Sequence, residues 1–411
     1  MLTFATQSKR LGGSLALALL CIGALAADWA QFRGPDRSGI SPETGLMDAW
    51  PEGGPKRLWK RDLGSGFSCI TVSDGRLYTL FSEKKGDGGT EFAGAFDPDT
   101  GKLIWQVELG KILVDEYGNG PRSTPAVSGD TVYVLGSYGR LMALATADGK
   151  VKWEKDLNKD FESKTPRWGY SGSPLVHGDA LFVETGGGEG KAFTALDKAT
   201  GKTRWTVLDG NGQTGYSSPL LITLHGKEQV LFLDCTGSLV SFGLDGKQLW
   251  SYKFSKEGGV IPMPVPVPPN GVFLSAAGDD GAVLIRITKD NKVTEAWKNP
   301  RMRNNWSSSL LLDGYIYGFD NAALKCLSAE TGKQVWRQRG FGKGSLVTAD
   351  GKLYVLGDDG ALAMARATPE GYKELGRVQA IEGKSWTAPS IAGGRIYVRN
   401  LAQMACYRIA Q

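Results

Sequence analysis

Histidine is nearly missing from this chain. Among 411 residues there are two, His177 and His225, each followed by glycine in a turn-like stretch. A Ser-His-Asp triad or a histidine-rich metal site therefore has little to draw on. Cysteine is equally sparse. Cys69, Cys235, Cys326 and Cys406 lie far apart and form no C-x-x-C pair. That spacing argues against a disulfide framework or a zinc site, and for small apolar residues on strands. No run of lysine and arginine occurs. The net charge of +5 falls to about +3 without Lys9 and Arg10, far from the basic stripe that nucleic acid requires. Neither a P-loop nor a dinucleotide fingerprint is present, and the Gly86-Asp87-Gly88-Gly89 and Gly186-Gly187-Gly188 clusters read more simply as hairpin loops. Past residue 27 no segment has helical periodicity.

The one sustained apolar run is at the N-terminus. Lys9 and Arg10 precede an apolar core from Leu15 to Leu25, and Ala24-Leu25-Ala26 offers small residues for signal peptidase. The uncharged stretch Leu11 to Ala27 is 17 residues long, short of the roughly 20 that span a bilayer. We read residues 1–26 as a signal peptide, which implies a periplasmic or secreted protein. Leu20 stands before Cys21 where a lipoprotein signal has a small residue, which speaks against lipidation. Residues 27–55 then form an N-terminal extension and 56–411 the folded domain.

What the chain has in abundance is glycine, 57 residues, and a tryptophan repeat. Trp59, Trp105, Trp153, Trp205, Trp250, Trp297 and Trp336 follow one another at intervals of 46, 48, 52, 45, 47 and 39 residues, and Leu375 stands 39 residues further on. Periods of about 40–50 residues belong to four-stranded propeller blades. Before Trp105 stands Ala95-Phe96-Asp97-Pro98-Asp99-Thr100-Gly101-Lys102, and before Trp205 stands Ala195-Leu196-Asp197-Lys198-Ala199-Thr200-Gly201-Lys202. The frame reads as a strand, a turn with positive φ at glycine, and an outer strand leading into tryptophan. Strand triplets begin near Cys69, Pro125, Pro174, Pro219, Pro264, Ser308, Ser345 and Ala388. The last lacks an outer strand, whereas Lys56–Lys60 is an outer strand with no triplet before it. The expectation is an all-β, eight-bladed propeller closed by the N-terminal strand, or seven blades if the copy near Pro264 is irregular.

In such blades the loop leading into the innermost strand and the turn between the second and third strands share one face. The lead-in loops hold Arg122, Arg167, Trp168, Tyr170, Tyr216, Asn305, Trp306, Lys343 and Trp386. Trp168, Trp306 and Trp386 fall outside the periodic set, so they would ring one mouth of the central channel. Two readings stand: a surface for stacking and hydrogen bonding to a protein, peptide or glycan, or a plug that packs the inner strands. Asp279, Asp280, Asp358 and Asp359 lie in turns of the same face. They read as hairpin formers or, less simply, as calcium ligands or a base.

The A-x-D-x-x-T-G-K-x-x-W frame resembles the tryptophan-docking motif of the pyrroloquinoline quinone (PQQ) repeat family, over nearly all of Leu58 to Ile409. Trp29-Ala30-Gln31-Phe32-Arg33-Gly34-Pro35 looks like the leader of exported bacterial members. The resemblance implies one of two things. Quinoprotein alcohol dehydrogenases hold PQQ and calcium at the propeller centre, commonly between a tryptophan and a disulfide of adjacent cysteines. This chain has no adjacent cysteines, and Trp306, Asn305 and Asp280 are its loose substitutes. The other branch contains non-catalytic propellers similar to the outer-membrane assembly lipoprotein BamB. Length and the missing PQQ ligands favour that branch, with no cofactor expected and no partner among nucleic acids.

Overall fold

The structure, a computed structural model, describes Met1 and residues 28–86 and 88–411, so the signal-peptide reading lies outside the described residues. Two short strands come first, β1 (Ile40–Ser41) and β2 (Arg57–Asp62). Blade one follows as β3 (Thr71–Ser73), β4 (Arg76–Lys85), β5 (Gly88–Phe96) and β6 (Leu103–Lys111), an antiparallel meander running from the axis outward. Seven more such sheets begin at Ala126, Leu175, Leu220, Val265, Leu310, Ser345 and Ser390. The expected triplets are all there. Blade five, from Val265 to Asn299, is a regular four-stranded sheet, so the ring has eight blades. β2 pairs antiparallel with Gln403–Arg408 and supplies the outer strand of blade eight.

The repeated tryptophan holds one blade to the next. In every copy it sits one residue past a bulge in the outer strand and pairs with a third-strand residue, usually a small one: Ala95 for Trp105, Ala195 for Trp205, Cys326 for Trp336, Cys406 for Trp59. A small partner leaves room for the indole to lie across the sheet. Cys326 and Cys406 are thus buried apolar residues, as expected, and burial pushes both thiols up to about 12. The indole N–H then donates to a carbonyl in the outer turn of the next blade: Trp59 to Pro98, Trp105 to Thr146, Trp153 to Lys198, Trp205 to Leu244, Trp297 to Ala329 and Trp336 to Thr368, all at 2.8–3.0 Å. That turn also explains the Thr-Gly pair. Asp97 Oδ1 accepts from the backbone N–H groups of Asp99 and Thr100 and from the Thr100 hydroxyl, and Gly101 follows at φ 67°. A Cβ on Gly101 would come within 2.7 Å of the Trp59 ring. The glycine therefore serves both the turn and the close approach of the neighbouring indole.

One expectation fails by one residue. Leu375 does not hold the tryptophan position of blade seven. It is the bulge residue, and Gly376 stands in register with Met364. Into the space above Gly376 comes Trp50, from the N-terminal extension. A Cβ at Gly376 would lie 2.5 Å from the Trp50 Cβ, and the Trp50 N–H donates to the Leu375 carbonyl. Trp50 meets Tyr354 at 6.2 Å and 43°, matching Trp59 on Tyr397 (6.1 Å, 45°) and Trp153 on Tyr133 (6.0 Å, 44°). The eighth docking tryptophan is thus supplied from elsewhere in the chain. Its indole nitrogen has no partner. The outer turn that would accept from it is the one blade eight lacks, because ring closure replaces that turn with two chain ends.

The same extension fills the axial hole. Trp29 bridges Val72 of blade one, the Ala30 carbonyl accepts from Val127 of blade two, and β1 adds in parallel to the innermost strand of blade seven. Glu43 accepts from the Gly393 and Gly394 N–H groups of blade eight. Between these, two arginines reach across. Arg37 donates to the Ser173, Pro174 and Pro219 carbonyls of blades three and four, and Arg33 to those of Ser308 and Ser309 in blade six. Phe32 packs on the apolar cluster shared by blades four and five. This hub therefore hydrogen-bonds to seven of the eight blades.

Trp50→Ala is expected to cost about 3–5 kcal/mol, as for any buried aromatic, and to match Trp59→Ala. Leu375→Ala, half-exposed, is expected to cost about 1 kcal/mol. Denaturant midpoints of the three variants check the assignment, and a Leu375 effect as large as that of Trp50 would refute it.

Candidate functional site

The lead-in loops reach the axis through short Ser/Thr-Pro segments. The Cys69 N–H donates to Thr124 Oγ1 (3.0 Å), the Thr124 N–H to Ser173 Oγ (2.9 Å), the Ser173 N–H to Ser218 Oγ (2.9 Å) and the Met263 N–H to Ser308 Oγ (2.9 Å). Each bond crosses from one blade to the next. Hydroxyls in these loops thus lace the inner ring as the tryptophans lace the outer one.

Above the hub the channel widens into a cavity of about 680 Å³. Phe32, Arg33 and Cys69 contribute to its lining from the hub and the inner ring. Arg122, Trp168, Tyr216, Asp280, Asn305, Trp306, Lys343 and Trp386, all anticipated from sequence, line it as well. The aromatic rings form a continuous arch. Trp306 meets Trp386 at 3.9 Å, Trp386 meets Tyr117 at 6.2 Å, Tyr117 meets Trp168 at 6.1 Å, and Trp168 meets Tyr216 at 5.1 Å. Cations lie over the rings: Lys343 on Trp306 (4.8 Å), Lys384 on Trp386 (4.4 Å), Arg167 on Trp168 (5.3 Å) and Arg122 on Phe67 (5.3 Å). Such pairs contribute roughly 0.5–1 kcal/mol each at exposed sites and fix ring orientation.

Three anticipated residues stand elsewhere. Tyr170 is buried in the core between blades two and three, where its hydroxyl meets Ser163 and Asn158. A loop tyrosine whose hydroxyl finds two internal partners is drawn inward. Arg167 sits outside the cavity, paired with Glu116 in solvent. Asp279 is exposed and off the lining, while its neighbour Asp280 is on it. Sequence reasoning missed Phe32, Arg33, Phe67 and Tyr117. The first two lie in the leader segment, whose path through the axis no local pattern reveals.

The electrostatics are unusual. Arg33, Arg37 and Arg399 are at most 3% exposed, and among the described residues none is paired with a carboxylate. Arg399 donates instead to Thr79 Oγ1 and to the carbonyls of Leu80, Gly64 and Gly66. Burial lowers the three guanidiniums to about 10, 9 and 10, so all remain charged at neutral pH. Arg122, on the wall, pairs with Asp115 at 3.2 Å. Two buried carboxyls lie behind the lining. Glu91 accepts from the Leu113 and Ser137 N–H groups, and Glu184 from Gly215. Burial raises both above their ordinary value, Glu184 the more strongly.

Glu184 therefore holds its proton more tightly in the folded chain than in the unfolded one. Its contribution to stability is full below the ordinary value of 4.5 and is lost as pH rises through its raised folded value. Glu184→Gln keeps an acceptor for Gly215 and does not titrate. The variant is expected to gain stability relative to the parent as the pH is raised from 4.5 to neutral. Urea midpoints at the two pH values check this, and a difference that does not change with pH would contradict it.

The PQQ and calcium set does not fit these residues. Cys69 is flanked by Ser68 and Ile70, and Cys69, Cys235, Cys326 and Cys406 are all free thiols. Trp306 and Trp386 face each other, so those ring faces are already covered. Asp280 and Asn305 reach the cavity, but among the described residues no group of three His, Cys, Asp or Glu side chains is placed to hold a metal.

Fold and site together define an eight-bladed, tryptophan-docked propeller with a hub-floored cavity on one face. A family described as outer membrane protein assembly factor BamB matches residues 89–318, 294–369 and 320–411, and the chain belongs to that family. It is 24% identical over 273 residues to the outer membrane protein assembly factor BamB of Shewanella oneidensis, covering 62% of this chain and 66% of that one. The BamB of Yersinia pestis is 21% identical over 352 residues, covering 84% and 76%. Among solved structures, BamB from Moraxella catarrhalis superimposes with a TM-score of 0.61 at 15% identity (86% and 97% covered). Quinohemoprotein alcohol dehydrogenase from Comamonas testosteroni gives 0.65 at 15% (93% and 80% covered). At such identity the structural likeness speaks for fold alone.

Proposed function

We propose that this chain is an exported, non-catalytic propeller that serves outer membrane protein assembly by binding a protein or peptide at its tryptophan-bearing mouth. The observation that carries this reading is the cation-flanked aromatic arch over the cavity. Tyr117 is 44% exposed and Val114 beside it 68%, so apolar surface continues from the cavity to the rim. Large, rigid aromatic side chains, with arginine, are the usual energetic centres of protein interfaces. An aromatic rim also stacks on sugars, but the family's assembly role favours a protein over a glycan. Export to the periplasm follows from the N-terminal apolar run. No helix among the described residues is long and apolar enough to cross a membrane. Residues 56–411 act as one binding module, with 28–55 as its hub and clasp.

The oxidoreductase alternative has the fold but not the ligands. Titration of the protein with PQQ and calcium is expected to leave the quinone absorbance unchanged and to give no dye-linked alcohol oxidation. Stoichiometric quinone binding with turnover would replace the binding reading. The binding reading itself is tested by complementation. In a strain lacking the gene, the wild-type chain is expected to restore outer membrane protein levels. A Trp306→Ala, Trp386→Ala double variant is expected to melt near the parent and fail to restore them. Full restoration by the variant would sink the role of this face. A melt as low as that of Trp59→Ala would instead make the arch a plug.

A further inference from the structure

The floor of the cavity is rich in donors that have nothing to donate to. Ser173, Ser218 and Ser308 line it, and each is at most 5% exposed. Each hydroxyl oxygen accepts a backbone N–H from a neighbouring blade, Thr124, Ser173 and Met263 respectively. None of the three hydroxyl protons finds an acceptor among the described residues. Each hydroxyl therefore keeps a proton to donate. Beside them lies Arg33, 3% exposed, whose Nη atoms hold backbone carbonyls while its Nε has no partner. Those carbonyls solvate the guanidinium but do not neutralise it. A buried cation without a counter-charge is costly and favours any anion that can reach its surroundings.

A set of donors around an unneutralised cation selects a group that only accepts. An ionised carboxylate is such a group, with lone pairs for the three hydroxyls and Arg33 Nε. The aromatic walls above suit an apolar body rather than the further charge of a phosphate dianion. The acids on the lining, Glu257 and Asp280, are set against Arg33, Arg122 and Lys343. The hub closes the cavity from below, so a ligand enters end-on from the mouth and does not thread through.

We propose that the cavity binds an organic carboxylate end-on, its carboxylate at the floor beside Arg33 and the Ser173, Ser218 and Ser308 hydroxyls, its apolar body against Trp306, Trp386 and Trp168. The proposal rests on the reading of this face as a binding face. The carboxylate comes either from a small organic acid or from the free C-terminus of a peptide, since both present the same group on an apolar body.

The test uses the full chain and three probes: N-acetyl-Leu-Phe as the free acid, the same peptide as its C-terminal amide, and 3-phenylpropanoate. Binding is followed by tryptophan fluorescence and calorimetry. The acid is expected to bind at least roughly tenfold tighter than the amide, the ratio that one charge-assisted hydrogen bond supplies. Binding of 3-phenylpropanoate on a par with the peptide acid assigns the site to small acids. Weaker binding by roughly tenfold or more assigns it to chain ends. Equal binding of acid and amide, or no binding of any probe at millimolar concentration, overturns the proposal. Arg33→Gln, where it melts like the parent, is expected to bring the acid-to-amide ratio near one. Should it fail to fold, the wild-type ratio alone decides. Complementation and probe binding fail separately. A chain whose Trp306 and Trp386 matter in the cell but which ignores the carboxylate keeps its binding face and loses only this ligand.

Discussion

Arranging eight sheets around an axis creates two physical problems at once: a hole down the middle and a seam where the chain's ends meet. The inner strands place backbone carbonyls around the hole, and buried backbone polar groups without partners are expensive. Residues 28–62 solve both problems. Arg33 and Arg37 are long and carry several donors each, so two side chains satisfy carbonyls of blades three, four and six from one central loop. Both adopt positive φ, 63° and 57°, a conformation non-glycine residues take at some cost. The cost is borne because many hydrogen bonds in the hub depend on it. Gly39 has to be glycine for the same reason, since a Cβ there would fall 2.6 Å from the Arg33 guanidinium. The seam is then closed by β2 and by Trp50.

The fold was legible because its main interaction is local in sequence. A tryptophan, the bulge before it and the Asp-x-x-Thr-Gly turn lie within about a dozen residues, and the tryptophan recurs at blade spacing even where the turn is shortened. What was not legible is the non-local repair of the one blade that departs from the rule. Blade seven has Gly376 where its siblings have tryptophan, and that glycine makes sense only once Trp50, more than three hundred residues earlier, is seen above it. Trp250 shows the opposite case. Its position is periodic, but its N–H turns to Gln229 of its own blade. Spacing predicts where a side chain stands but not what it touches.

The site was legible in its walls and hidden in its floor. Trp168, Trp306 and Trp386 stand out because they break the period, and the face they share follows from strand order alone. Tyr170 has the same loop address and yet belongs to the core, because Ser163 and Asn158 offer its hydroxyl two partners there. No spacing distinguishes it from Tyr216. The floor comes from the leader segment and from serines just before the inner strands, residues whose local pattern says only turn and strand start. Their common property, a hydroxyl that accepts from the neighbouring blade and keeps its proton to donate, exists only between blades.

The path of the hub also sets the polarity of the molecule. Asp28 accepts from Ser73, at the turn between the first and second strands of blade one, which is the face opposite the mouth. From there the chain rises to Phe32 and Arg33 under the cavity, turns, and descends along blade seven to meet Glu43 and the Gly393–Gly394 turn on that same opposite face. The cavity mouth is left open to a partner while its floor remains part of the segment that holds the ring together. A ligand that engages Arg33 thus acts on a residue that also spans to blade six, so occupancy of the cavity and stability of the hub are linked by mass action. The segment that closes the hole is also the one through which binding would be felt by the ring.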